Sequence, residues 1–538
     1  MSDEKIPDPL RAGLAQGWKV FDGAKQVQDL EWRADVLIIG SGAGGGIAAE
    51  RLALAGLDVL IIEEGGFYTS SDFRLREDKA YPELYQESAG RQTLDKGISI
   101  LQGKAVGGGT VVNWTSCFRT PPDTLRWWQE RYGLTGLSRE AMRPWFEKAE
   151  QRLGIMDWDV TPNGNNLVLE RGCQALGYRH ARIRRNVRGC WNLGYCGMGC
   201  PTNAKQSMLV TCIPEALKRG ARLLTRARLE RLQADQGTGR IVKAHGALLE
   251  ADGLRANGRR FTISARHIVL AAGAIGSPAL MLRSGLLDPA GLTGKRTFLH
   301  PVALSAAIMP EKIEPYNGAP QTVYSDHFMH TQSLDGPLGF KLEVPPIHPL
   351  LASVTFPGFG SEQLQLLQQF PHLHATLALL RDGFHPDSEG GEVKLRDDGG
   401  PVLDYPLGDV IWDGVYRSWM VMAEMQFAAG ASQVMPLHER AEPATSWKQA
   451  KAMIADLPLQ PLMAKLMSAH VMGGMAMGDD PTRGVVDDYG RHWQWRNLTV
   501  LDGSVFPTSV GANPQLSIYA FAWRAAEKLA DILRREAG

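Results

Sequence analysis

A chain of 538 residues exceeds the size at which one apolar core keeps growing, so two domains or an interleaved pair are expected. Its 58 basic and 58 acidic residues cancel, which argues against a nucleic-acid or anionic-membrane partner held by bulk charge and leaves a small, uncharged one. Six cysteines are too few for a disulfide scaffold. The amino-terminal MSDEKIPDPLRAGLAQGW carries acidic residues and prolines where an export signal needs a basic start and a continuous apolar run, so a cytoplasmic chain is expected. No window reaches the eighteen or so uninterrupted apolar residues of a membrane span, which limits membrane contact to the periphery.

Residues 34–65 read as strand, glycine turn, helix and strand. The turn is Gly40-x-Gly42-x-x-Gly45. Gly40 permits the tight turn, Gly42 lets the backbone approach a pyrophosphate, Gly45 lets helix and strand pack closely, and the helix start offers free N–H groups. Glu63 ends the next strand, where an acid accepts from ribose hydroxyls. Together these predict a dinucleotide site, with the choice between NAD and FAD left open.

Further along, RHARIRRNVRG (Arg179 to Gly189) reads as a solvated basic face. It runs into CWNLGYCGMGC, whose Cys190, Cys196 and Cys200 leave a metal cluster, a thiol switch and tight packing open. A second strand, glycine turn and helix occupy Phe261 to Leu286. Between Gly336 and Tyr405 the alternation in FKLEV and EVKLRDDGGPVLDY predicts antiparallel strands joined by hairpins. Within that region Pro357 to Leu380 is rich in apolar residues and is expected to form core helices, or to line an apolar tunnel or rest on a membrane surface. The chain then returns to α/β with a strand and turn at LTVLDGSVFP and a final amphipathic helix, SIYAFAWRAAEKLADILRREA.

Four blocks in order resemble the glucose–methanol–choline (GMC) oxidoreductases: GKAVGGGTVVNW (Gly103 to Trp114), AAGAIGSPALMLRSG (Ala271 to Gly285), HVMGGMAMG (His470 to Gly478) and VLDGSVFPTSVGANPQLSIYAFA (Val500 to Ala522). The resemblance implies an α/β chain whose Rossmann-type FAD-binding domain (residues 30–120, 210–305 and 465–538) is interleaved with an antiparallel-sheet, α+β substrate domain (306–464), with 121–209 as an inserted cysteine-containing segment. It further implies FAD against Gly107, Gly108, Asn113, Ala272, Gly273, Asp502, Gly503 and Pro514, with His470 as base and Asn513 as its partner. Asn513 stands where many members have a second histidine; cholesterol oxidases have asparagine there, and an amide cannot serve as a base.

The His300-Pro301 pair and YCGMGCPTNAKQS look like the long-chain alcohol oxidase branch, which implies an apolar, long-chain or terpenoid primary alcohol. The cysteine spacing resembles that of flavin–iron–sulfur sugar dehydrogenases, which implies a 3Fe-4S cluster as an alternative; lyases and a decarboxylase share the same fold. The electron acceptor expected is a quinone or carrier protein, with oxygen as the other choice.

Overall fold

The computed structural model describes residues 6–537, so the first five residues of the amino-terminal stretch considered for export lie outside it. Two eight-stranded sheets organise the chain. In the first, Val36–Ile39 pairs in parallel with Val59–Ile62 on one side and with His267–Leu270 on the other. These segments are buried on both faces, which is why they read as continuous apolar runs. Leu498–Val500 joins the strand Ala256–Leu270 in parallel, and Arg240–Leu249 and Ala227–Asp235 extend the sheet antiparallel. The helix Ala43–Leu54 packs between this sheet and the final helix Gln515–Ala537, with Gly44, Gly45 and Gly46 permitting close approach.

The second sheet is built on Val302–Ile308 paired antiparallel with Leu373–Leu380, and Phe340–Glu343 continues it. Alternate residues of the central pair serve two cores. Ala303, Ala307, Ala378 and Leu380 pack with the helix Asp409–Ala428, whereas Val302, Leu304, Ala306, Ala375, Leu377 and Leu379 form the opposite face.

Three expectations change. Only Ser361–Gln368 of the apolar stretch Pro357 to Leu380 is α-helical; Leu373–Leu380 is a strand whose eight residues are all buried, the polar His374 and Thr376 included. The sheets also exchange chain more often than the expected boundaries allow. Ile98–Ile100 and Leu466–Ser468, placed with the FAD-binding segments, pair with each other in the second sheet, Val302–Ile308 begins before residue 306, and Lys19–Asp22 adds to the first sheet ahead of residue 30. Finally, the basic run is solvated at Arg179, Arg182, Arg184 and Arg188, but Arg185 is fully buried against Trp158.

Candidate active site

A single cleft of about 960 Å³ runs from the first glycine turn to the apolar face of the second sheet. At one end Gly40, with φ +94°, makes the turn in front of the helix Ala43–Leu54, whose start has no side-chain cap and so leaves its N–H groups for an anion. Gly42 faces Gly108 across the turn, and a Cβ on Gly42 would meet only the Gly108 Cα, at 3.8 Å. Two glycine loops thus confront each other without side chains, an arrangement that leaves backbone room for a dinucleotide such as FAD.

Ser41 ties this cradle together, a part that sequence reasoning missed. Its hydroxyl donates to Glu63 Oε2 at 2.6 Å and accepts from the Gly107 N–H at 3.0 Å, while its own N–H donates to the same carboxylate. The other Glu63 oxygen accepts from the Gly65 N–H, and burial raises the carboxyl above its ordinary range. The two bonds from Ser41 fill Oε2, and a lone pair remains on Oε1 for a ribose hydroxyl. Asp502 does comparable work at the second turn: it accepts from the Gly273 N–H at 2.9 Å, the Ser277 hydroxyl at 2.6 Å and the Ser504 N–H at 2.8 Å.

Of the expected site residues, Gly40, Gly42, Glu63, Gly108, Asn113, Ala272, Gly273, His470, Asp502, Gly503, Asn513 and Pro514 all border this one cleft. Gly45 and Gly107 lie behind it. A Cβ on Gly45 would sit 2.0 Å from the Gly40 oxygen, which is the close-packing role expected of it. Asn113 spends its amide within the protein, donating to Gln515 Oε1 at 2.8 Å.

His470 and Asn513 stand where the cradle opens onto the second sheet. His470 is half-buried at the cleft wall, and desolvation there, followed by the nearby Lys341 ammonium, pushes its imidazole down to about 3, so it is neutral at working pH. Its Nδ1 lies 3.3 Å from Nδ1 of His300. The Gly511 N–H donates to His300 Nε2 at 3.0 Å, so the His300 hydrogen resides on Nδ1 and is donated to His470. In this arrangement the hydrogen of His470 sits on Nε2. His300 itself is held in a left-handed turn (φ +47°), its N–H and that of Leu299 donating to the buried Asp382 carboxylate.

Beyond these two residues the cleft becomes an apolar chamber. Val302, Leu304, Ala375, Leu377 and Leu379 supply its floor, and Ile347, Leu351, Ala352 and Phe356 cover it. Val302 pairs with both Leu379 and Met467, close to His470, while Ala375 lies four residues farther along the strand, about 13 Å away at ~3.3 Å per residue.

Cys190, Cys196 and Cys200 do not border the cleft, and all three are free thiols. Among the described residues no three His, Cys, Asp or Glu side chains are grouped to hold a metal ion, so the donor set does not fit the implied 3Fe-4S cluster. The loop instead packs behind the cradle. Lys205, buried, donates to the carbonyls of Val111, Asn113 and Cys196 at 2.6–2.7 Å, which clasps the cysteine loop to the glycine loop.

Family models bear on the same segments. Those for the amino- and carboxy-terminal parts of the GMC oxidoreductases match residues 61–302 and 386–522, and one for an FAD binding domain matches 35–73. The chain belongs to the GMC oxidoreductases. This GMC oxidoreductase is therefore an enzyme acting on alcohol donors, with FAD as its cofactor.

It is 32% identical over 499 residues to an uncharacterized GMC-type oxidoreductase of Mycobacterium tuberculosis, covering 92% of this chain and 76% of that one. It is 29% identical over 532 residues to long-chain-alcohol oxidase FAO4B of Arabidopsis thaliana, covering 94% and 68%. Among solved structures, pyridoxine 4-oxidase from Mesorbium loti matches with a TM-score of 0.65 at 20% identity, covering 92% of this chain and 98% of the other. A formate oxidase matches at 0.67 and 14% identity, covering 95% and 99%. At those identities the two structures speak for the fold alone. Among the described residues no helix is long and apolar enough to cross a membrane.

Proposed function

We propose that this enzyme oxidises the CH–OH group of an apolar primary alcohol, long-chain or terpenoid, with the hydroxyl at His470 and Asn513 and the tail along the second sheet. The apolar chamber carries this reading: it begins beside His470 and its floor is uncharged from Val302 to Ala375. The long-chain-alcohol oxidase relatives support the same substrate class. When bound along the glycine cradle, FAD supplies the acceptor for the hydride that leaves the carbinol carbon.

His470 takes the hydroxyl proton. To accept at Nε2, it must carry its hydrogen on Nδ1, donated to His300 Nδ1; each ring reaches that tautomer by losing one proton to water and taking one from it, and His300, then protonated at Nε2, gives up the Gly511 N–H. The alcohol accordingly meets a donor first and a base after that exchange. Asn513, which cannot take a proton, offers an N–H to the substrate oxygen. Relatives named as oxidases support oxygen as the electron acceptor, and peroxide release separates it from a quinone or carrier protein. A peripheral lipid contact is supported by Val354, Phe359 and Leu364 on the outer side of the chamber's cover, which are 71%, 86% and 57% exposed.

The deciding experiment is anaerobic addition of alcohols from ethanol to long-chain, terpenoid, sterol and sugar types to the holoenzyme, followed by flavin absorbance. Bleaching that grows with chain length is expected. Bleaching by sugars alone would overturn the substrate class, and no bleaching by any alcohol would favour a lyase or decarboxylase on this fold.

A further inference from the structure

Behind Asn513 lies a charged pair that the proposed reaction has not used. Lys341 and Glu343 sit two apart on the strand Phe340–Glu343 and so share a face. Both are buried, and neither borders the cleft. The Lys341 ammonium has three close partners: it donates to Asn513 Oδ1 at 2.5 Å, forms an ion pair with Glu343 Oε1 at 2.7 Å and lies 3.5 Å from the centroid of the Phe118 ring. Glu343 Oε2 in turn accepts from Asn513 Nδ2 at 3.1 Å. The amide oxygen faces a cation and one of its N–H groups faces an anion, so a flipped amide would present oxygen to carboxylate and N–H to ammonium. Only the second N–H of Nδ2 is left for the cleft.

We propose that Lys341 and Glu343 are positioning residues that lock Asn513 as an obligate hydrogen-bond donor to the substrate oxygen. The inference rests on the alcohol-oxidation reading above. A carboxamide polarised by an ammonium at its oxygen is a stronger donor at its nitrogen, and a fixed donor aimed at an oxygen that gains negative charge lowers the barrier more than it tightens ground-state binding. The pair is net neutral, so it fixes direction without loading the site with charge. Its cation also acts on His470 and His300; Arg381 acts on His300 as well, and Asp382 accepts from the His300 N–H.

The test begins with the unmodified holoenzyme and a long-chain alcohol. If no alcohol bleaches the flavin, the oxidation reading fails and takes this inference with it; if bleaching occurs, the variants judge the positioning role alone. Lys341→Met removes the cation that polarises Oδ1 and leaves Glu343 alone to hold the amide. Its kcat is expected to fall roughly 10- to 100-fold, less than the ~100- to 1,000-fold that complete loss of a transition-state donor costs because the Asn513 N–H is weakened and not removed, with KM and FAD content little changed and the acid limb of the kcat/KM profile moved to higher pH.

Lys341→Gln/Glu343→Gln keeps a donor for Oδ1 and an acceptor for Nδ2 and should recover much of the loss. Should Lys341→Met fail to fold around an unpaired buried carboxylate, Lys341→Met/Glu343→Leu removes both charges and is expected to show the same kcat loss. Unchanged kcat in folded Lys341→Met or Lys341→Met/Glu343→Leu would overturn the inference, as would a loss in which KM and FAD content move in step with kcat.

Discussion

The chamber floor makes a quantitative demand on substrate length. Each methylene transferred from water to an apolar wall is worth about 0.8 kcal/mol, so kcat/KM should rise about fourfold per carbon while the tail has wall left to cover. The wall ends near Ala375, about 13 Å along the strand from Leu379, where ~3.3 Å per residue gives the length. A phenyl ring introduced by Ala375→Phe at that end should leave short alcohols untouched and remove the increments earned last.

Initial rates of anaerobic flavin reduction, measured for a homologous series from ethanol to hexadecanol, would show two lines that coincide at short lengths. They should diverge beyond a break point, with the deficit growing about fourfold for each methylene displaced. A flat series in the unmodified enzyme, or an Ala375→Phe variant that slows ethanol as much as hexadecanol, would refute a tail lying on this sheet.

Other outcomes follow from the same geometry. His470→Ala should lower turnover by orders of magnitude with FAD retained, and His470→Gln, which keeps a terminal N–H, should retain more than Ala; equal losses would argue against the donor-first arrangement. Because desolvation holds His470 near 3, below the ordinary value of 6.5, the protonated form is absent between those limits, and kcat/KM should show no acid inflection at pH 6–7; one found there would contradict the assigned environment. Gly42→Ala should fold yet bind FAD poorly, since its Cβ meets only Gly108 at 3.8 Å, whereas Gly44→Ala places a Cβ 1.5 Å from the Leu501 oxygen and should cost the fold itself, as read by thermal melting and flavin content. Anaerobically purified enzyme should show a flavin-only visible spectrum and no iron by metal analysis.

What the sequence reveals here depends on how local the structure is. The strand, glycine turn and helix at Gly40–Gly45 are contiguous, and their roles follow from backbone sterics alone. His470 and Asn513 stand out only because whole blocks around them resemble a family. Lys341 and Glu343 were hidden by their own pattern: in FKLEV the alternation reads as a strand with one wet face, yet both faces are covered and the polar one backs onto Asn513. The strand Leu373–Leu380 starts with the alternating LHATL, but the apolar run ahead of it masks that start, and its polar members His374 and Thr376 are as buried as the rest. Ser41 carries no signal at all, because its partners Glu63 and Gly107 come from segments 22 and 66 residues away.

The exchange of chain between the two sheets also sets an order of events during synthesis. Leu498–Val500 must arrive before the strand ending at Leu270 has its last parallel neighbour, and Gln515–Ala537 must arrive before Ala43–Leu54 is covered on its outer side. Ile98–Ile100 likewise waits for Leu466–Ser468. A ribosome therefore has to release most of the 538 residues before the cofactor cradle can close, and until then the helix Ala43–Leu54 carries an uncovered apolar flank. Truncation near the carboxy terminus would strand that nascent half, and chaperone dependence should rise with every residue removed from the last helix.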